Sequence, residues 1–288
     1  MRPLNLLTFI ALALPSALPA QQADSFFTRY QARVTATQDE QPHWVTPLVT
    51  VTPRLEQEFR TDFVHDYNDA DKPIWNYGNS KGLEFIPFSR IEILINVPPF
   101  FNRDNGESDG FGDMSFNSKY RILSRNETHG NYILTAFFAA TIPTGKNGNG
   151  SCCAVVTPTL AGGKGFGNLD LESTFGGSLP ITDAKGLGHT ITWNNVIQYR
   201  VAKTGVGRYL WPELEFNSTF LKGGATDGKK TTYATPGIVF GRLPLIKAGP
   251  PESGHRGLGL TFGAGEEIAL THYYTANHEL VLTARLPF

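Results

Sequence analysis

The segment "NHELVLTARLPF" (277–288) alternates with period two up to its last residue. Leu280, Leu282, Ala284, Leu286 and Phe288 are apolar, and Glu279, Thr283 and Arg285 stand between them. That spacing puts the apolar side chains on one face of a β-strand and the polar ones on the other. The pattern recurs upstream. In "VTVTPRLEQEF" (49–59), Val49, Val51, Leu55 and Phe59 alternate with Thr50, Arg54, Glu56 and Glu58. Ile91, Ile93, Ile95 and Val97 face away from Arg90, Glu92 and Asn96. Met114, Phe116, Tyr120 and Ile122 oppose Asp113, Lys119 and Arg121. Leu210, Leu214, Phe216 and Phe220 oppose Glu213, Glu215, Asn217 and Thr219.

About twelve such segments are expected, near 47–61, 82–87, 90–97, 112–123, 131–142, 156–164, 168–179, 189–201, 208–221, 230–240, 256–270 and 278–288. Many exceed the roughly 5–6 residues usual in globular sheets and approach the ~9–11 of a tilted membrane strand. Long polar connections at 62–81, 98–111, 143–155 and 222–229 tend to alternate with short ones at 88–89, 124–130, 165–167 and 202–207. Segment 241–255 departs from this rule, being long where a short turn is due. Loops long at one end and short at the other are the habit of outer-membrane barrels. A soluble β-sandwich alternates too, but with its apolar faces turned inward. Strand length, an even strand count and aromatic residues near strand ends (Trp44, Phe100, Phe101, Tyr132, Tyr209, Trp211, Tyr273, Tyr274) favour the barrel. The expectation is therefore an all-β chain forming a single antiparallel up-and-down transmembrane β-barrel of about twelve strands, with lipid as its surroundings.

The first twenty residues carry one early Arg, an apolar run and a Pro/Ala-rich end, as in a secretory signal peptide. The expected organisation is a signal peptide at 1–20, a periplasmic or plug segment at 21–45 and the barrel at 46–288 in the cell outer membrane. The last strand, with Leu286 and Phe288, has the form of the signal read by the bacterial barrel-assembly machinery.

Three phrases, "GFGDMSFNSKYRIL", "FFAATIPTGK" and "TPTLAGGKGFGNLDLESTFGGSLP", lie within a resemblance covering roughly residues 45–288. Gly110–Asp113 at a strand start, the Pro143–Gly145 loop and the Gly-rich hairpins of Thr157–Pro180 together resemble the MetA-pathway of phenol degradation family. The resemblance implies a Gram-negative outer-membrane barrel with a transport role, and its name points to aromatic compounds. Its motifs are turn signals, so no residue's chemistry is carried over from it.

No enzyme is expected. "GESDG" (106–110) has the outline of a nucleophile elbow, but a strand rather than a helix follows it. "GGATDGKK" (223–230) approaches a phosphate loop but has Lys230 where the hydroxyl belongs, and no helix follows. The acidic loop Asp62–Asp71 lacks the glycine and the final Glu of an EF-hand, so no metal and no cofactor are expected. Cys152 and Cys153 are adjacent, and a vicinal disulfide, free thiols or interchain pairing are all open. The formal net charge of −1 gives no reason to expect a nucleic-acid partner.

If the apolar faces meet lipid, the polar faces line a lumen. The candidate lumen residues are Arg54, Glu56, Glu58, Arg60, Arg90, Glu92, Asp113, Lys119, Arg121, Arg200, Glu213, Glu215 and Arg285, with Asp170, Glu172 and Glu279 in the same pattern. Two readings follow: a water-filled path for small solutes, with these charges setting its field, or an interior closed by salt bridges in a non-conducting structural barrel.

Overall fold

A computed structural model describes residues 25–67, 73–103, 107–247, 249 and 257–288. The expected signal peptide lies outside the described residues. The chain forms a closed twelve-stranded antiparallel barrel. Its strands are β1 (Glu58–Tyr67), β2 (Ile74–Gly78 with Gly82–Phe88), β3 (Ile91–Asn96 with Phe100–Arg103) and β4 (Gly110–Phe111 with Met114–Arg125). Next come β5 (Tyr132–Ile142), β6 (Val155–Phe166), β7 (Leu169–Gly176) and β8 (His189–Tyr199). The last four are β9 (Leu210–Lys222), β10 (Lys230–Ile246), β11 (Leu258–Ala269) and β12 (His278–Pro287). Each strand pairs with its neighbour in sequence. The barrel closes where β1 meets β12, in unbroken register from Glu58↔Pro287 to Tyr67↔His278. Closure removes both sheet edges, which the hydrocarbon layer requires.

The alternation described above decides which face is which. Phe63, Leu83, Ile95, Phe138, Leu160, Phe175, Trp193 and Leu282 are exposed on the outer wall, whereas Arg60, Asp62, Glu92, Lys119, Gln198, Glu215 and Arg285 are almost fully buried inside. A soluble sandwich would show the reverse, so this is the membrane arrangement. No helix among the described residues is long and apolar enough to cross a membrane. At one end three of the five connections are short, with two residues between β2 and β3, six between β4 and β5 and two between β6 and β7. Gly167, at φ +71°, is the first of two residues joining β6 to β7, a position that demands positive φ in a tight hairpin.

Four expectations are corrected. Residues 47–57 are not strand, and β1 begins at Glu58 and runs on through 62–67, where a loop was expected. Their alternation belongs to extended chain without a ladder partner. Before it lies a helix, α1 (Phe26–Asp39), free of Gly and Pro and capped by Ser25, whose hydroxyl accepts from the Thr28 amide at 3.1 Å. The barrel's β10 extends to Ile246, so the long connection at 241–255 is shorter than its sequence implied. Trp44 and Trp211 are buried inside and do not belong to an interfacial belt.

Candidate functional site

The lumen holds the chain's own residues 41–57. Buried backbone needs partners for every N–H and C=O, and here the wall supplies them from charged side chains in place of a β-ladder. The Glu213 carboxylate accepts from the Leu48 amide at 2.9 Å, and Glu215 accepts from the Val49 and Thr50 amides at 2.8 and 2.7 Å. Glu92 takes the Glu56 amide. In return, Arg285 donates to the Thr46 and Pro47 carbonyls and Arg60 to that of Leu48. Lys119 donates to the Arg54 carbonyl at 3.2 Å, and Thr135 to that of Pro53 at 2.6 Å. Wall acids hold the amides and wall bases hold the carbonyls, which is why both signs of charge line the barrel.

The apolar side chains of the segment sit against glycines and the few inward apolar side chains of the wall. Leu48, fully buried, enters a socket made by Gly237 on β10 with Gly263 and Gly265 on β11; a Cβ at those three positions would stand 2.3, 2.7 and 2.6 Å from its methyl groups. Trp44 covers Gly163 in the same way, at 2.5 Å, while its indole N–H donates to Asn131 at 3.0 Å. Val45, Leu48, Trp211 and Val239 form one apolar cluster, and Val34 of α1, Leu55 and Ile86 a second. Replacing Leu48 by Ala should weaken docking of the segment by about 2–5 kcal/mol, the usual cost of emptying a buried leucine site. Faster amide exchange at 46–50, with the β1–β12 seam still protected, is the expected result.

Helix α1 lies across the short-turn end. Arg121 donates to the Thr37 carbonyl and pairs with Glu40 at 2.8 Å, Ser124 donates to the Glu40 carbonyl and Asn126 to that of Asp39. His43 is latched to Glu127 in the β4–β5 turn through both its ring, at 2.8 Å, and its amide, at 2.6 Å. Burial by itself would raise the Glu127 pKa, but the His43 hydrogen bonds outweigh it and hold the carboxyl down to about 2. A carboxyl lowered on folding stabilises fully above its unfolded value and loses that contribution as pH falls. The latch should therefore loosen between about pH 4.5 and about pH 2. Glu127→Gln should abolish that part of the pH dependence, read from amide exchange at His43.

Of the expected lumen residues, Glu58, Arg60, Glu92, Lys119, Glu213, Glu215 and Arg285 are buried on the inner wall, as are Asp170 and Glu172. Glu279 is half-buried on the same face, beside Asp66 and Glu267. Arg54 and Glu56 are equally buried, but on the inserted segment, paired with each other at 3.0 Å. Arg121 faces α1. Arg90 is exposed in the β2–β3 turn. Asp113 lies at the loop end, accepting from the Gly145 and Ser151 amides. Burial acts to raise its pKa, and these bonds bring it below the ordinary carboxylate value. Arg200 is half-buried at the short-turn end. Cys152 and Cys153 form a disulfide in the β5–β6 loop. Leu286 faces outward at the closing seam, and the Phe288 amide donates to the Gln57 carbonyl at 3.1 Å. Asp62 and Glu84 are buried lumen residues that the sequence reading missed. Glu84 was recoverable, since it alternates with Leu83 and Phe85; Asp62 was hidden by the assignment of 62–81 to a loop.

The fold is shared with the COG4313 outer membrane channel from Pseudomonas putida F1, at a TM-score of 0.55 and 15% identity over 85% of this chain and 100% of that one. OccD3 (OpdP) of Pseudomonas aeruginosa is more distant, at 0.38 and 13% over 80% and 60% of the two chains. No family model and no curated protein matches the sequence. The first likeness concerns the fold, and it agrees with the apolar outer wall: the chain is an outer-membrane β-barrel.

Proposed function

We propose that the protein is an outer-membrane channel for small solutes, closed at rest by residues 41–57 and opened when that segment leaves the wall. The observation that carries this reading is how the segment is held. Its amides and carbonyls rest on wall carboxylates, guanidiniums and an ammonium, partners that water replaces at modest net cost. A segment woven into the sheet would have to break a cooperative ladder instead. Aromatic solutes are the finer proposal, supported by the resemblance of residues 45–288 to the phenol-degradation family.

The test is a tether. Asn217 on β9 donates to the Thr50 hydroxyl at 3.0 Å. Thr50→Cys with Asn217→Cys, bridged by a short bifunctional maleimide, should silence in a planar bilayer the discrete steps shown by the unbridged variant. Steps that persist after complete bridging would sink the gating reading. The second reading, a non-conducting barrel presenting its loops, is favoured by the same filled lumen; it is selected if the barrel stays silent once the segment has been removed.

A further inference from the structure

At the short-turn end, a recess of about 200 Å³ opens where the inserted segment meets the wall, and its lining is cationic. Arg200, Lys203 and Arg208 come from the β8–β9 turn, Arg242 from β10 and His43 from the segment. Glu56 takes Arg242, at 3.5 Å, and Glu127 takes His43. The other three carry no ion pair to a carboxylate among the described residues. Asp170 balances the charge of Arg200 only through space. The Arg200 guanidinium lies over the Trp211 ring at 5.3 Å, and its Nε is buried without a hydrogen-bond acceptor. Arg208 lies over Tyr209 at 4.5 Å. The Trp211 face orients Arg200 without offering its N–H groups an acceptor, whereas Arg208 also donates through Nη2 to the Tyr209 hydroxyl.

Like charges gathered around a small recess repel one another, and a buried N–H without an acceptor is costly. One ligand class relieves both: an oxyanion, which accepts paired N–H bonds from a planar guanidinium and neutralises its neighbours. We infer that this recess is a binding site for a small oxyanion, either the carboxylate of a small organic acid or a phosphate, held by Arg200, Lys203 and Arg208. Arg200, Lys203 and Arg208 make none of the hydrogen bonds described above that seat residues 46–57 in the lumen, and binding there does not require the barrel to conduct.

Calorimetric titration of the full mature chain in neutral detergent, at constant ionic strength, tests this with sodium benzoate and inorganic phosphate as probes. Saturable binding of either probe is expected, and the probe that binds more tightly identifies the source of the oxyanion. Lys203→Gln and Arg208→Gln lie at exposed positions and leave the fold intact. Each should weaken binding by about tenfold, the equivalent of one lost charge-assisted hydrogen bond. Arg200→Gln should weaken it further. Lys229→Gln, at the loop end over Tyr273, should change nothing. Absence of saturable binding by both probes overturns the inference. So does binding that Arg208→Gln and Lys203→Gln leave unchanged. Because the readout is heat and not current, a silent barrel that binds the oxyanion refutes the channel reading alone.

Discussion

Removing the described residues before Glu58 should turn a barrel whose lumen is filled into one that conducts continuously. The wall does not need the inserted segment for closure, since β1 begins at Glu58 and all ten of its residues pair with β12. What the truncation removes is the occupant of the lumen. Leu48 leaves its glycine socket, Trp44 uncovers Gly163, and the Glu213 and Glu215 carboxylates lose three amide donors. Water and ions supply the missing partners, so charges that now bind backbone become the lining of an aqueous path. Single-channel recording should show long-lived open levels, with ion selectivity that shifts when Glu215 is replaced by Gln. Folding is checked in parallel by heat-modified electrophoretic mobility. A truncated protein that is inserted, folded and electrically silent would end the channel reading.

The second large effect concerns Lys119. Its ammonium, 1% exposed, lies 3.0 Å from Glu92 and 3.9 Å from Glu84, and also donates to the Arg54 carbonyl. Removing one partner from a buried pair leaves the other charge without compensation, which costs about 3–5 kcal/mol. Lys119→Met should lower unfolding stability by that amount, measured by urea titration in detergent. Lys119→Met with Glu92→Gln should recover part of the loss, because the nearer carboxylate is then neutral while Glu84 keeps its charge. The contrast is Arg103–Glu107 near the loops, at 3.2 Å, where the Glu107 side chain is 65% exposed. Solvent screening there leaves about 0–1 kcal/mol, so Glu107→Gln should be close to neutral. If Lys119→Met behaves like Glu107→Gln, the lumen around it is wet and its charges are screened.

Most of the wall was readable from alternation, because lipid outside and polar chain inside impose opposite demands on successive residues. Strands such as β5 and β9 therefore appear within a residue or two of their places. The inserted segment was not readable by the same rule. "VTVTPRLEQE" (49–58) alternates because extended chain between two polar walls also presents successive residues to opposite sides. Only Pro53, which cannot donate to a ladder, argued against a strand there. Individual lumen residues such as Arg60, Glu92 and Lys119 could be named in advance, but their partners could not. The contacts joining Leu48 to Glu213 and Arg285 to Thr46 span 165 and 239 residues, and no local pattern encodes them. The glycines of β10 and β11 stand in the sequence as "TPGIVFG" and "GLGLTFGAG", where nothing local marks them as a socket. Their meaning depends on the leucine they accommodate.

Those same sequence separations set the order of assembly. The segment that enters the lumen precedes every strand in the chain, but its seat is built from β3, β4, β9, β10, β11 and β12. That seat is complete only when the final strand has been laid down and the seam with β1 has closed. Residues 41–57 should therefore be the last to become ordered, since loop-closure entropy makes such distant contacts slow. The expected consequence is an interval in which the barrel stands empty before the segment fills it. In pulse-labelled refolding, amide protection at Leu48 should appear after protection of the β1–β12 seam.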